Sequence, residues 1–329
     1  MKKGNLTRVI IDTDPGVDDA LAILLALRSP ELEVVAITTV CGNVPVEQAT
    51  RNLFRVLSLV RPPPSLLIGQ GASRPLLRPL ETAIHFHGTD GLGELDRVRN
   101  EDGSPRYQQP TLPRIVPTAQ DVWNECLRRY PHELTLITLG PMTNLATALA
   151  MEASPIRKLR AVISMGGALA VPGNVTPAAE FNIFADPHAA QRVAQSGLAL
   201  TLVPLDVGMQ VVLTRDAIRR LTAETADPVT RFLGDATAIA LAFAEEAEGA
   251  ALFPLHDPLA VAVAIDPTLV RLVPLHLEVD TEGSVTRGVT VADRRSPGGS
   301  GKSSPNLQAA VQVDGPRALA LVQDRLCRK

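Results

Sequence analysis

Residues 7–20 read TRVIIDTDPGVDDA and place four aspartates between two apolar runs. The run before them, TRVIIDT at 7–13, is short and rich in β-favouring residues, which indicates a strand. The run after them, VDDALAILLALRS at 17–29, has the length and composition of a helix that begins at acidic residues. Pro15 and Gly16 turn the chain between the two. The stretch therefore predicts a strand, a turn and a helix, with carboxylates gathered where the strand ends.

The same alternation of short apolar runs and helical segments continues along the chain. Further strands are predicted at 33–40, near 65–69, and at 133–139, 161–165 and 198–204. Their residues are apolar on both faces, which is typical of a parallel sheet covered by helices on both sides. No linker or repeat divides the chain. We therefore predict a single α/β domain over residues 1–329, built on an open, mostly parallel, doubly wound sheet.

Several segments interrupt this rhythm. Residues 70–117 are rich in Gly and Pro, and residues 222–256 are predicted to be helical up to the sequence FPLHDP. Residues 270–291 predict a hairpin around DTEGS, and residues 296–305 predict a mobile loop. Ligands of doubly wound sheets bind at the carboxyl ends of the strands, where long irregular segments often form lids.

Composition excludes several classes of protein. The net charge of -3 gives no electrostatic basis for binding nucleic acid or an anionic membrane surface. The three cysteines are far apart and form no CxxC pair, which argues against a disulfide framework or a thiolate zinc site. Aspartates interrupt the N-terminal apolar stretch too early for a signal peptide, and no apolar run is long enough to cross a membrane. We expect a cytoplasmic protein with a small-molecule substrate.

The acidic cluster itself has two interpretations. An aspartate at the start of a helix can cap backbone N–H groups and is favoured by the helix dipole. Capping does not readily account for four aspartates, and several carboxylate oxygens at one point suit a divalent cation of the Ca²⁺ or Mg²⁺ type. Candidates for further ligands follow other predicted elements: Asn43, the Leu139 carbonyl and Asp257. Taken alone, Asn43 could form an Asx turn and Asp257 could be an N-cap.

These motifs resemble those of the inosine-uridine preferring nucleoside hydrolase family. The resemblance begins with DTDPGVDDA at 12–20 and runs in the family's order from about residue 8 to residue 295. It continues through TTVCGN, HGTDGLG, LGPMTNLA, MGGALAVPGNVTPAAEFNIFADP, LHDPLAVA and TRGVTVADRR. It implies a single α/β domain with one bound Ca²⁺, a small-molecule ribonucleoside as substrate, and assembly into a homodimer or homotetramer.

The resemblance also implies roles for individual residues. The Ca²⁺ ligands would be the carboxylates of Asp14, Asp19 and Asp257 and the backbone carbonyl of Leu139. The residues implied to contact the substrate are Asp18, Asn43, His87, Met165, Asn174, Glu180 and Asn182. Within this set Asp18 would bind sugar hydroxyls beside the metal, Asn174, Glu180 and Asn182 would hold the ribose, and His87 would lie near the base. Met165 is equally suited to the core or to the pocket wall.

The chemistry follows from breaking an N-glycosidic bond through an oxocarbenium-like ribosyl centre. The metal would hold the 2′ and 3′ hydroxyls and a water whose pKa it lowers, and Asp14 would take the proton of that water. The departing base is a poor anion, and His256 is the candidate acid because histidine titrates near neutral pH. A histidine satisfied by a hydrogen bond in the core is the alternative for His256.

One departure and two rival functions complete the analysis. Family members that accept many bases often carry Tyr before HDP, whereas residues 231–254 contain only phenylalanines as aromatic residues. The first rival is a Mg²⁺-dependent phosphohydrolase of the haloacid dehalogenase type, which also opens with a strand and DxD. The second is a calcium-dependent nucleoside-binding protein without catalysis, which would be expected to lack Asp14 or His256. The sequence does not reveal the preferred base.

Overall fold

The computed structural model describes residues 6–223, 225–295 and 303–327, without the side chains of residues 247 and 248. It is a single α/β domain with a large central sheet, as the sequence predicts. The strands are β1 Thr7–Thr13, β2 Leu32–Thr39, β3 Leu67–Gln70, β4 Leu134–Thr138, β5 Ala161–Met165, β6 Leu200–Val203, β7 Val212–Thr214, β8 Leu252–Pro254, β9 Val270–Leu275, β10 Leu277–Val279, β11 Thr290–Ala292 and β12 Leu307–Val313.

The central sheet has eight strands in the order β3-β2-β1-β4-β5-β6-β12-β9. All neighbouring pairs are parallel except β12 and β9, which are antiparallel. From β1 the chain first adds β2 and β3 on one side and then continues with β4, β5 and β6 on the other side. The ends of β1 and β4 therefore lie at the centre of the sheet. This reversal of strand order marks the place where doubly wound folds bind ligands.

Helices connect the strands and cover the sheet. They are α1 Val17–Leu27, α2 Val46–Leu57, α3 Ile84–His87, α4 Ala119–Arg129, α5 Thr143–Ala150, α6 Phe181–Ala185, α7 Pro187–Ala194, α8 Leu205–Gly208, α9 Arg215–Thr222, α10 Pro228–Glu248, α11 His256–Ile265 and α12 Gly315–Leu326. Short 3₁₀ turns occur at Leu95–Arg97, Pro155–Lys158 and Pro267–Leu269. No helix among the described residues is long and apolar enough to span a membrane.

Successive residues of the central strands pack on opposite faces of the sheet. In β1, Val9 and Ile11 pack with the residues of α1 and α11, whereas Ile10 packs with those of α4 and α5. This alternation follows from the two-residue period of a strand. It places Asp12 on the α4 side of the sheet and Thr13 on the α1 side, which separates two neighbouring polar residues.

The irregular segments agree in part with their predictions. The predicted hairpin forms between β10 and β11, but β9 joins the central sheet. The predicted helix over 222–256 contains α10 and is interrupted by β8. Most of the predicted mobile loop, residues 296–302, lies outside the described residues. β12 and α12 lie outside the predicted elements, although β12 is an inner strand of the sheet.

Candidate active site

Three carboxylates converge at the carboxyl edge of the central sheet. Asp18 and Asp19 belong to the first turn of α1, and Asp257 belongs to the first turn of α11. One oxygen from each lies within 4.8 Å of the others. The helices α1 and α11 pack directly against each other, which brings residues nearly 240 positions apart into one cluster. Each helix also presents its positive N-terminal end to these carboxylates.

Asp19 is held by bonds to both of its oxygens. Its Oδ1 accepts a hydrogen bond from the hydroxyl of Thr13, at the end of β1. Its Oδ2 accepts from the backbone N–H of Gly16 and from Nδ2 of Asn43, both at 3.0 Å. The bond to Gly16 is a capping interaction, so the capping interpretation holds for Asp19 in addition to its place in the cluster.

Asp14 lies beside this cluster with one oxygen free of protein bonds. Its Oδ2 accepts the backbone N–H of Asn43 at 2.6 Å, while Oδ1 is buried and has no partner among the described residues. A Cβ atom added at Gly42 would lie 1.9 Å from Oδ2, and one at Gly140 would lie 2.3 Å from Oδ1. Glycine is required at both positions because the carboxylate occupies the space of a side chain.

Burial and mutual repulsion disfavour the charged forms of these carboxylates. Burial, followed by the charges of Asp19 and Asp18, raises the pKa of Asp14 well above its usual range. Burial and Asp19 raise the pKa of Asp18 to about 8. Burial and the charges of Asp18, Asp19 and Asp14 likewise raise the pKa of Asp257. A divalent cation would relieve this repulsion, because it supplies positive charge to oxygens that lack protein donors.

The donor set fits a hard cation. The gathered atoms are carboxylate oxygens, which Ca²⁺ and Mg²⁺ prefer, and the buried Oδ1 atoms of Asp14 and Asp18 have no hydrogen-bond partner among the described residues. The cluster is therefore able to hold a metal ion. It differs in one respect from the predicted ligand set, because Asp18 rather than Asp14 joins Asp19 and Asp257 within 4.8 Å.

The predicted carbonyl ligand, Leu139, follows β4 directly. Its oxygen accepts a hydrogen bond from Nδ2 of Asn182 at 2.5 Å, and the same amide group lies 3.3 Å from Sδ of Met165. Glu180 is the N-cap of α6 and accepts from the backbone N–H groups of Asn182 and Ile183. Its Oε2 also accepts from Gly167 N at 2.9 Å. Glu180, Asn182 and Met165 thus form one buried unit at the ends of β4 and β5.

Asn174 lies outside this buried unit. Its side chain is exposed, and Oδ1 accepts the backbone N–H of Phe181 at 2.9 Å. The bond holds the loop before α6 in place. The sequence analysis grouped Asn174 with Glu180 and Asn182, but in the structure only the latter two are buried.

Two predicted histidines occupy buried surroundings. Nδ1 of His87 accepts the backbone N–H of Val17 at 3.1 Å, which attaches α3 to the start of α1. His256 opens α11, and its Nδ1 is buried without a partner among the described residues, packed against Gly208. Burial lowers the pKa of each ring to about 4, so both rings are neutral at pH 7.

The three phenylalanines of residues 231–254 have different surroundings. Phe232 and Phe253 are buried in the core. Phe243, on α10, is 43% exposed and lies edge-on to Phe86, with 6.1 Å between ring centroids. Phe86 in turn packs edge-on against His87 at 5.0 Å. An aromatic row therefore leads from the surface of α10 to His87.

Asp12 has a separate place from the other three aspartates of its motif. Its Oδ1 accepts from the hydroxyl of Thr38 at 2.6 Å and from Nδ2 of Asn144 at 2.8 Å. Trp123, which is buried in the core, donates to Thr38 at 3.1 Å. Burial raises the pKa of Asp12 to about 7. This network lies on the α4 side of the sheet, so Asp12 fixes the strand ends from the opposite face.

Sequence reasoning missed two polar residues that shape the site. Asn52 is buried on α2 and contacts the loops on either side of the acidic cluster. Asp206 on α8 accepts the backbone N–H groups of Leu169 and Ala170, both at 2.8 Å. A polar residue on the apolar face of α2 is a signal that could have singled out Asn52. Asp206 carries no such signal, because its partners are backbone groups of a distant loop.

Comparison with known proteins identifies the family. The profile of the family described as inosine-uridine preferring nucleoside hydrolase matches residues 9–320. The pyrimidine-specific ribonucleoside hydrolase RihA of Salmonella gallinarum is 36% identical over 319 residues, 97% of each chain. The chain thus belongs to the inosine-uridine preferring nucleoside hydrolase family, and it is an enzyme of the ribonucleoside hydrolase class.

Solved structures of this family have the same fold. A plant nucleoside hydrolase, PpNRh1, superposes with a TM-score of 0.88 at 31% identity and covers 98% of this chain and 100% of its own. A purine-preferring ribonucleoside hydrolase from Gardnerella vaginalis gives a TM-score of 0.81 at 36% identity, with 98% of both chains covered. The predicted fold class is therefore confirmed.

Proposed function

We propose that this enzyme hydrolyses the N-glycosidic bond of ribonucleosides in a Ca²⁺-dependent reaction that yields ribose and a free nucleobase. The observation that carries the proposal is the convergence of Asp18, Asp19 and Asp257, with the unbonded oxygen of Asp14 beside them. Carboxylates that repel one another, two of which keep a buried oxygen without a donor among the described residues, suit a bound cation and polar ligands.

The proposed metal ligands are the carboxylates of Asp14, Asp19 and Asp257 and the carbonyl of Leu139. When bound, Ca²⁺ would lower the pKa of a water and withdraw electrons from the sugar hydroxyls it contacts. Asp18 supplies a carboxylate for the same hydroxyls. Its unpartnered Oδ1 supports this role, because an acceptor without a donor is available to a ligand hydroxyl.

Asp14 is the proposed general base. Its Oδ1 is buried without a hydrogen-bond donor among the described residues, so it is available to accept a proton from the attacking water. The Asn43 N–H donates to Oδ2 and so orients the carboxylate.

The remaining proposed residues form the sugar pocket. Glu180 and Asn182 would orient the ribose, and Asn174 would close the pocket from the surface. The rest of the pocket would be lined by Asn43, Met165 and His87.

His256 is the proposed donor to the departing base. Its ring is neutral in the free enzyme, because burial lowers its pKa to about 4. Proton donation at pH 7 therefore requires that the bound substrate raise the pKa of the ring. A leaving base that gains negative charge as the bond breaks acts in this direction.

The similar proteins differ in the nucleobase that they are described as preferring. One relative described as pyrimidine-specific and one described as purine-preferring are each 36% identical to this chain. Sequence identity therefore favours neither a purine nor a pyrimidine base, and the proposal rests on recognition of the ribosyl unit.

We further propose a cytoplasmic homodimer or homotetramer, whose oligomeric state is to be tested by light scattering. All three cysteines are free thiols, which agrees with a reducing compartment.

The decisive experiment measures the free sugar released from uridine, inosine, cytidine and guanosine, which is ribose, and from the 2′-deoxy form of each as a comparison, which is 2-deoxyribose. Ribose release from ribonucleosides is expected, with 2′-deoxyribonucleosides much poorer because they lack a hydroxyl for Asp18 and the metal. Phosphate release from phosphate esters would instead indicate the phosphohydrolase. Nucleoside binding without ribose release would indicate a non-catalytic binding protein, and equal rates on uridine and 2′-deoxyuridine would contradict the role of Asp18.

A further inference from the structure

Two loops meet beside the carboxylate cluster, and hydrogen bonds connect them directly and through α2. The acidic loop, residues 14–19, includes the first turn of α1 with Asp18 and Asp19, and the histidine loop, residues 87–96, begins at His87, the last residue of α3. The Val17 N–H donates to Nδ1 of His87 at 3.1 Å. The other connection runs through α2, which lies behind both loops.

Asn52 on α2 makes this second connection with a single atom. Its Nδ2 donates to the carbonyl of Pro15 at 2.9 Å and to the carbonyl of Asp90 at 3.0 Å. An amide nitrogen has two hydrogens, so these bonds use both of them. Oδ1 is occupied as well, because it accepts from Nε2 of Gln48 at 2.8 Å. Asn52 is only 1% exposed, and no other residue type of its size presents two donors and one acceptor in this arrangement.

The surroundings of Asn52 are shaped to receive both loops. Gly91 follows Asp90 in a left-handed conformation with φ +77°, and a Cβ there would lie 2.8 Å from Nδ2 of Asn52. The Asp90 side chain accepts from the backbone N–H groups of Leu92 and Glu94, at 2.8 and 2.9 Å, so the histidine loop is itself rigid. Movement at Asn52 would therefore be transmitted along the loop to His87.

We propose that Asn52 is a positioning residue that sets the distance between the acidic loop and the histidine loop. The inference rests on the proposed function, in which these loops hold the sugar and the base of one substrate. Loss of the Asn52 bonds would let His87 move relative to Asp18 and Asp19. Asp19 would keep its bonds to Thr13 and Asn43, so the metal site would persist while alignment for catalysis is lost.

The test compares Asn52→Leu with Gln48→Leu. Gln48 lies one turn earlier on α2 and also donates two bonds from one nitrogen, to Asn52 and to the Asp90 carbonyl, but none to the acidic loop. We expect Asn52→Leu to lower kcat for uridine or inosine by about 10²-fold, since misplacement of about 1 Å can have this effect. Ca²⁺ affinity should stay within about threefold of the parent, and Gln48→Leu should lose less than about fivefold in kcat.

A second readout reports the position of His87 without activity. Because Val17 N–H donates to Nδ1, the neutral ring of His87 carries its proton on Nε2. The ¹⁵N spectrum of labelled histidine should show this tautomer in the parent and in Gln48→Leu, and a mixture in Asn52→Leu. His87→Asn assigns the signal. If Asn52→Leu does not fold, Asn52→Ser, which retains one donor, should give an intermediate loss and shift.

The outcomes separate the two proposals. If the parent releases no ribose from any nucleoside, the proposed function fails, and the histidine spectrum alone decides the role of Asn52. Equal kcat losses in Asn52→Leu and Gln48→Leu, or an unchanged His87 tautomer in folded Asn52→Leu, would overturn the positioning role. Loss of Ca²⁺ binding together with kcat would show that Asn52 supports the metal site instead.

Discussion

The carbonyl of Leu139 accepts a hydrogen bond from the side-chain amide of Asn182 at 2.5 Å. Leu139 directly follows β4, and Asn182 lies on α6, whose N-cap is Glu180. The proposed metal ligand and the proposed ribose ligand therefore touch each other directly. A carbonyl oxygen has two lone pairs, so it can accept from Asn182 and face a cation together.

This contact predicts the effect of Asn182→Ala. Loss of a buried amide that holds the sugar should lower kcat/KM for uridine by about 10- to 100-fold, the effect of one or two hydrogen bonds. Steady-state kinetics at saturating Ca²⁺ measure it. Asn124→Ala on the distant helix α4 is the control and should retain parent activity. If Asn182→Ala has the same kcat/KM for uridine as the parent, Asn182 does not belong to the sugar site.

The variants Asp14→Asn and Asp12→Asn form a matched pair that tests Asp14 as the general base. Asp14→Asn keeps an oxygen for the Asn43 N–H but cannot take a proton, so kcat should fall by ~10²–10⁴-fold while the protein folds normally. Asp12→Asn keeps an acceptor for Thr38 and Asn144 on the opposite face of the sheet. It should lose less than about tenfold. The assignment of Asp14 as base fails if the two variants lose similar activity.

His256→Ala separates proton donation from the remainder of the mechanism. The bases of uridine and inosine leave as basic anions unless they are protonated, so the variant should hydrolyse these nucleosides ~10²–10⁴-fold more slowly. A p-nitrophenyl riboside has a stable anionic leaving group and should stay within about tenfold of the parent rate. Both substrates are measured on the same metal-loaded protein because His256 adjoins Asp257. Equal losses would assign His256 to support of the metal site.

The ion pair between Arg28 and Asp227 predicts a pH dependence of stability away from the site. Arg28 donates to both oxygens of Asp227, at 2.9 and 2.6 Å. Burial raises the pKa of Asp227, but the bonds from Arg28 and Thr230 outweigh it, and the net pKa is lowered. A lowered folded pKa stabilises the native state above the unfolded pKa, and this contribution disappears as pH falls through the folded value.

Asp227→Asn should therefore lower the free energy of unfolding at pH 7 by about 1.5–3 kcal/mol, the range for hydrogen bonds to charged groups. Asparagine retains an acceptor for the N-cap of α10, so the charge is the main change. Urea denaturation at pH 7 and near pH 3 measures the difference between parent and variant, which should shrink toward acid. A constant difference across this range would show that the ion pair contributes nothing through its charge.

Most of the fold could be predicted from the sequence, because the hydrophobic pattern of a strand or helix is set by residues close together in the chain. β1, β2, β4, β5 and β6 all lie within or close to their predicted ranges, since each is a continuous apolar run with turns around it. β12 was missed because glutamines interrupt LQAAVQV and its place between β6 and β9 depends on pairing with distant strands. Strand order of this kind is a property of long-range contacts.

The candidate site shows the same division. Asp18, Asp19 and Asp257 could be proposed from their positions at element ends, and the structure brings them together. The separate position of Asp12 follows from the alternation of β1, but its partners Thr38 and Asn144 lie on other elements. Asn52 could be singled out as a polar residue on an apolar face, but its role could not be predicted because its two acceptors are backbone carbonyls in loops far from it in sequence.

The central claim is tested most directly by ribose release from uridine and inosine in protein freed of metal, measured before and after addition of Ca²⁺. Metal removal should abolish turnover and lower the melting temperature, because a cation bound only by the native state stabilises it. Added Ca²⁺ should restore both. Unchanged ribose release by demonstrably metal-free protein, or no ribose release from any nucleoside after Ca²⁺ is restored, would contradict the proposed function of the carboxylate cluster.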